Sequence, residues 1–216
     1  MNEPTRASSR TILQTVGKYY ADRIDRFGPT PRGVDWNSVE SQELRFDRLL
    51  ELVTPAQSIV SPSILDVGCG YGALLDYLGE RSMQLEYQGF DISESMIAAA
   101  GARHAGVDGA VFTSDARTLQ PATYAVASGI FNVKLSYTLE AWRDYVLDTL
   151  AALDRWSTAG FAFNMLSTQS DPDLRRDDLF YANPLELFDL CMRRFSRRVA
   201  LLHDYPLFEF TVIVRK

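Results

Sequence analysis

From about residue 60 to its end, the chain alternates between two apolar patterns. Short β-type runs at 64–68, 85–91, 110–114, 124–131 and 160–166 predict strands, and stretches with apolar positions three or four apart predict helices between them. The helix starts are marked by their caps. Ser93 precedes Met96, Ile97 and Ala100; Thr138 precedes a stripe of Leu139, Trp142, Val146, Leu150 and Leu153; Asn183, Pro184 and Glu186 stand as N-cap, N1 and N3 of another helix. Such alternation predicts an α/β fold with a mostly parallel sheet, helices on both faces and the apolar stripes as core.

Both ends of the chain break the pattern. RRVALLHD (197–204) and LFEFTVIVR (207–215) are both β-type and are joined by Tyr205 and Pro206, which predicts an antiparallel C-terminal hairpin. The N-terminal part reads as helical at 12–27, turns at GPTPRG (28–33) and is helical again at 38–53. It is expected to cap the sheet rather than fold separately, which makes 1–216 one domain, with 1–59 the cap and 60–216 the core.

Composition narrows the function. With 216 residues, 46% apolar and 12% aromatic, the chain can bury one substantial core. A net charge of −6 argues against nucleic acid as a partner, because affinity for phosphates needs clustered Lys and Arg. Cys69 and Cys191 are too few for a disulfide framework, no His/Cys pair has metal-ligand spacing, and no metal is expected. No stretch reaches about 18 consecutive apolar residues, and MNEPTRASSR lacks a secretory apolar segment. These features lead us to expect a cytoplasmic protein with no membrane partner; they leave its oligomeric state open.

The chemistry concentrates at ILDVGCGYG (64–72). An apolar strand running through Asp66 into Gly68, Cys69, Gly70 and Gly72 and then a helix is the form of a nucleotide site, although a tight strand-to-helix turn alone would also explain the glycines. The second strand ends at Asp91, about 20 residues after the glycines, where such a site places a carboxylate for ribose hydroxyls. The third ends in Ser114-Asp115-Ala116, bringing a second carboxylate to the same edge for an adenine amino group, with Ile92 and Ala116 as apolar faces for the ring. Asp91 as a solvated residue before a helix cap, and Asp115 as a loop residue, are the plain alternatives.

In order, DVGCGYG, GFDIS (89–93), SDA (114–116), VASGIF (126–131) and the final hairpin resemble the class I S-adenosylmethionine-dependent methyltransferases, over roughly residues 60–216. The resemblance implies a Rossmann-like, seven-stranded sheet and S-adenosylmethionine as cofactor, with S-adenosylhomocysteine as product. It places the methionine portion at Asp66 and the glycine backbone, the ribose at Asp91, the adenine at Asp115, and Ile130 near the sulfonium. GVDWNSVESQELRF (33–46) resembles a subgroup of small bacterial enzymes that act on small molecules and whose leading helices close over the cofactor. That makes Tyr19, Tyr20, Trp36 and Arg45 candidates for lining the site, against an aromatic core face with a surface arginine.

Methyl transfer is an in-line displacement that depends mainly on positioning. A hydroxyl acceptor would gain from a general base. His203, beside Asp204, is the candidate; His104 reads as a surface residue on the helix after strand two. The fourth strand ends without the carboxylate of metal-assisted enzymes and without a Pro-Pro-aromatic motif. Asn132 and Asn164, at the ends of strands four and five, are uncharged groups able to orient a polar substrate. The segment 167–182 reads as a long loop at the active edge, offering Phe180 and Tyr181. The resulting expectation is O-methylation of a small polar metabolite. A nicotinamide-dependent oxidoreductase, since GCGYGA fits G-x-G-x-x-G/A, and a catalytically inert cofactor-binding partner subunit are the competing readings.

Overall fold

The computed structural model describes residues 9–53 and 61–216; residues 1–8 and 54–60 of the expected cap and its joint to the core lie outside the described residues. The strands are β1 (Ser63–Val67), β2 (Glu86–Phe90), β3 (Ala110–Thr113), β4 (Ala122–Ala127), β5 (Ser157–Ser167), β6 (Tyr181–Ala182), β7 (Arg198–Leu202) and β8 (Glu209–Arg215). They form one sheet in the order β3-β2-β1-β4-β5-β8-β7, with β6 added beside β5. Pairing is parallel except where β8 runs against β5 and β7.

Side chains alternate across this sheet, and each face has its own helices. The helices are α1 (Ser9–Phe27), α2 (Val39–Leu50), α3 (Ala73–Glu80), α4 (Glu94–Arg103), α5 (Leu139–Trp156) and α6 (Pro184–Arg194). Leu65, Val67, Phe161 and Phe163 pack against Ile12 of α1, Trp142 and Leu150 of α5 and Cys191 of α6. Ile64, Tyr124 and Ile213 pack against Phe46 and Leu49 of α2 and Leu74 and Tyr77 of α3. The three expected caps close as read: Ser93 accepts from Met96 N at 3.3 Å, Thr138 from Ala141 N at 3.2 Å and Asn183 from Leu185 N at 3.0 Å.

Several expectations are corrected. Strand four stops at Ala127 instead of 131, because Gly129 takes a left-handed turn with φ of 73° that ends the ladder. Leu139 sits in the first turn of α5 and is 56% exposed, so it is not core. The hairpin connection is longer than two residues, running from 203 to 208. The segment 167–182 is not a bare loop, since it carries a short 3₁₀ turn (Pro172–Leu174) and then β6, which pairs Leu166 with Tyr181.

The link from β3 to β4 is the unusual one. Residues 114–121 carry only a 3₁₀ turn (Ala116–Thr118), too few for the helix that normally covers such a crossover. The segment lies against the sheet instead, with Leu119 buried and the Gln88 amide bonded to both backbone groups of Gln120 at 3.2 Å. α1 supplies the missing cover, contacting both α4 and α5.

A buried ion pair ties the cap to the end of the chain. Arg45 of α2 donates to both carboxylate oxygens of Glu209 at 2.8 and 2.7 Å, and the two residues are 6% and 1% exposed. Removing one partner strands a buried charge. Arg45→Met is expected to cost about 3–5 kcal/mol in urea unfolding, whereas Arg45→Met with Glu209→Leu recovers most of that loss.

Candidate functional site

A cavity of about 240 Å³ opens above the C-terminal ends of β1, β2 and β4. Its floor is the β1–α3 turn from Asp66 to Tyr71, its sides are Asp91, Ile92 and Ser128 to Ile130, and its roof includes Tyr20 of α1 with Val34 and Trp36. The roof is latched by polar contacts between α1 and the turn after it. Tyr19 donates to Asp35 at 2.5 Å, and Arg23 pairs with Asp35 and donates to the Arg32 carbonyl at 2.7 Å. Trp36 is wedged deeper, with Arg45 over one face at 3.8 Å and Gly129 against it. A Cβ at Gly129 would stand 2.3 Å from the indole, so only glycine admits this ring.

The glycine turn is held from within. The Phe90 carbonyl accepts from Gly68 N at 2.7 Å and Cys69 N at 3.0 Å, and Asp91 Oδ2 accepts from Gly70 N at 3.0 Å. The other oxygen of Asp91 accepts from Ser93 N at 2.9 Å, so one carboxylate fixes both the turn and the start of α4. Three N–H groups of the turn are therefore spent on the protein. Gly68 has φ of 79°, and a Cβ there would meet Ile130 at 2.2 Å; the missing side chain keeps the floor of the cavity open.

The expected site residues divide clearly. Asp66, Gly68, Cys69, Gly70, Asp91, Ile92, Ile130, Tyr20 and Trp36 all line the cavity. Gly72 does not. It faces His104, whose Nε2 lies 3.0 Å from the Gly72 carbonyl and whose ring stacks on Phe112 at 5.5 Å; His104 is thus buried, contrary to its reading as a surface residue. Arg45 is spent on Glu209 behind Trp36. Asp115 and Ala116 lie off the cavity wall: Asp115 accepts from Arg117 N and pairs with the Arg117 guanidinium at 2.7 Å, which pulls its pKa down to about 2. His203 is exposed, edge-on to Phe210, away from the lining.

The two asparagines brace the active edge. Asn164 Oδ1 accepts from Gly129 N at 2.7 Å and holds the turn against Trp36, while its Nδ2 is buried without a partner. Asn132 accepts from Leu166 N at 3.2 Å and from Phe180 N at 2.8 Å, fixing the return of the 167–182 segment. Tyr181 accepts from Arg176 N at 3.1 Å within that segment. Lining residues that the sequence reading missed include Gln42 and Phe46 of α2 and Tyr145, Thr149, Ala152 and Trp156 of α5. The α5 group forms a second stripe, three and four residues apart, beside the core stripe.

Comparison with known proteins agrees with this geometry. A family model described as a methyltransferase domain matches residues 64–156, from β1 to the end of α5. Rv1506c of Mycobacterium tuberculosis, a methyltransferase by name, is 52% identical over 154 residues, covering 71% of this chain and 93% of that protein. The chain belongs to the class I S-adenosylmethionine-dependent methyltransferases. Among solved structures of similar fold, magnesium protoporphyrin IX methyltransferase of Synechocystis with bound S-adenosylhomocysteine matches with a TM-score of 0.65, 15% identity and coverage of 94% and 99% of the two chains. Human N-acetylserotonin methyltransferase with S-adenosylmethionine matches at 0.57 and 13% identity, covering 97% of this chain and 56% of that one. The nicotinamide reading falls with this membership.

The electrostatics of the methyltransferase cavity suit a cationic ligand. Asp66, 3% exposed, is pushed up to about 7 by burial, partly offset by the hydrogen bond from Tyr87 at 2.7 Å. Burial also lifts Asp91 to about 6, against the two N–H groups it accepts. Among the described residues no Lys, Arg or His lines the cavity, so a bound sulfonium or ammonium would meet these acids with no rival cation from those residues beside it. Both folded values lie above the ordinary 3.8, so the neutral acids are favoured by folding. That stabilisation is complete below 3.8 and is lost as pH rises through the folded values of about 6 and 7. Chemical unfolding of the ligand-free protein should therefore show stability falling from 3.8 to about 7, and Asp66→Asn should flatten the slope.

Proposed function

We propose that this methyltransferase transfers the methyl group to a hydroxyl of a small polar metabolite. The observation that carries this reading is the uncharged character of the cavity on the β4 side, where Ser128 Oγ is buried without a partner beside Trp36, Phe46 and Ile130. A phosphorylated or carboxylate acceptor would want a cation there, and none of the described residues lining it is one.

S-adenosylmethionine supplies an electrophilic methyl on a sulfonium. Asp91 would accept from the ribose hydroxyls, using lone pairs left free by the Gly70 and Ser93 N–H groups. Asp66 and the Gly68–Gly70 backbone would hold the methionine portion, with Ile130 packed over Gly68 beside it. Trp36 and α1 exclude water, which keeps acceptor and donor in contact and limits hydrolysis. Asn164 acts through the Gly129 turn by fixing the end of β4. Among the described residues no imidazole lines the cavity, which favours an acceptor hydroxyl acidic enough to give up its proton to a lining carboxylate.

Calorimetric titration should show S-adenosylhomocysteine binding in the micromolar range and no binding of NAD; Asp91→Ala should weaken it by about tenfold or more, the loss of a charge-assisted hydrogen bond of about 1.5–3 kcal/mol. Release of S-adenosylhomocysteine in an acceptor screen should appear with hydroxyl compounds. Turnover confined to amines or thiols would overturn the O-methylation reading.

A further inference from the structure

Behind the donor crevice, two glycines are pressed by one pair of stacked rings. His104 closes the end of α4 and is 8% exposed; its imidazole stacks on Phe112 of β3 with ring centres 5.5 Å apart and planes 20° apart. A Cβ at Gly72 would stand 2.7 Å from His104 Nε2 and 3.2 Å from Phe112. A Cβ at Gly89 would stand 2.6 Å from Phe112 and 3.0 Å from Cys69 Sγ. The rings thus lie directly on backbone at two places: the end of the glycine turn, and the residue before Phe90, whose carbonyl the turn bonds to.

The histidine does more than fill this space. Its Nε2 is 3.0 Å from the Gly72 carbonyl oxygen, and because a carbonyl only accepts, Nε2 carries the proton and donates. Asp76 Oδ1 lies 3.8 Å from Nδ1, too far for a hydrogen bond, and the other oxygen of Asp76 accepts from Arg103 at 2.6 Å. The Gly72 carbonyl is therefore the contact that orients the imidazole.

From Gly72 the constraint passes inward. Gly72 N donates to the Cys69 carbonyl at 3.0 Å, and Cys69 N donates to the Phe90 carbonyl at 3.0 Å. Cys69 and Gly70 line the cavity, whereas Gly72 and His104 do not. Gly68, Gly70 and Gly72 all have positive φ, so the residues that allow the turn its shape also leave it free to take others. Asp91 and the Phe90 carbonyl hold it from the sheet side, and His104 holds it from the helix side. Burying an imidazole where an apolar ring would pack is costly unless its N–H is used, and here it is used on this turn.

We propose that His104 is a positioning residue of the donor site, which through the Gly72 carbonyl holds the glycine turn in the conformation that receives S-adenosylmethionine, with Phe112 as its seat. The proposal rests on the crevice being the S-adenosylmethionine site.

Calorimetric titration of S-adenosylhomocysteine into two variants tests it, with thermal unfolding to confirm that each folds. His104→Phe keeps a ring on Phe112 and removes the donor; it should bind several-fold to about tenfold more weakly, the effect of one lost hydrogen bond. His104→Gln restores an N–H at similar reach and should return to within about twofold of the unmodified protein. A packing role alone gives the opposite order, with the phenylalanine variant the tighter binder. If His104→Phe does not fold, imidazole nitrogen NMR of the unmodified protein decides the matter. The chain has two histidines, and His203→Gln, outside the cavity lining, identifies the second set of signals. Saturating S-adenosylhomocysteine should move the His104 Nε2 resonance. The proposal is overturned if that resonance stays in place, if folded His104→Phe binds within about twofold of the unmodified protein, or if His104→Gln binds no better than His104→Phe. Failure of the unmodified protein to bind at all would instead sink the donor reading beneath it.

Discussion

A parallel sheet must be covered on both faces, and this chain leaves one connection too short to do so. Between β3 and β4 the backbone crosses the sheet in 114–121 with a single 3₁₀ turn. The apolar surface of Leu65 and Val67 in β1 would otherwise meet water on that side. α1 provides the cover through Ile12 and Val16, both nearly fully buried. Each such side chain is worth roughly 1.5–3 kcal/mol on burial. A mostly polar helix of this kind is marginal by itself, so its stability comes from docking rather than from its own propensity.

The rest of the cap follows from that placement. Once α1 lies across the tips of β1 and β2, the chain must turn back to reach α2, and it does so through Pro31–Val34 and a left-handed Asp35 with φ of 62°. Asp35 is held there by Tyr19 and Arg23 from α1. The turn delivers Trp36 onto Gly129, and Arg45 backs the indole while bonded to Glu209. A single line of contacts thus runs from α1 through Trp36 and Arg45 to β8. Burying a charged pair is costly in itself; its use here is to fix one arrangement of cap and sheet.

Much of the core fold was legible because its signals are local. Ser93, Thr138 and Asn183 cap helices through their own side chains, and the strand edges at Asp66 and Asp91 follow from residue alternation and the glycines. What escaped depends on contacts distant in sequence. Arg45 looks like a ligand-facing cation until Glu209, 164 residues away, is brought beneath it. His104 looks exposed until Gly72 and Phe112 close around it. Asp115 ends a strand as Asp91 does, yet Arg117 two residues on takes its carboxylate, while Asp91 is taken by backbone N–H groups that position the site. The Tyr145-Thr149-Ala152-Trp156 stripe was present in the sequence and was masked by the stronger core stripe beside it.

The contrast between the two acids also explains why the donor half of the site is better defined than the acceptor half. Asp91 and the glycine turn constrain each other: the N–H of Gly70 needs an acceptor, the half-buried carboxylate needs donors, and the Phe90 carbonyl satisfies Gly68 and Cys69 together. That mutual satisfaction fixes the donor crevice before any ligand arrives, so binding there need not order the backbone. At the ends of β4 and β5, Ser128 Oγ, which lines the cavity, and Asn164 Nδ2, which does not, have no hydrogen-bond partner, and a buried polar atom left so costs about 1–3 kcal/mol. The cavity wall thus carries an unpartnered hydroxyl at the end of β4, while the acids of β1 and β2 are already engaged by Tyr87, Gly70 and Ser93.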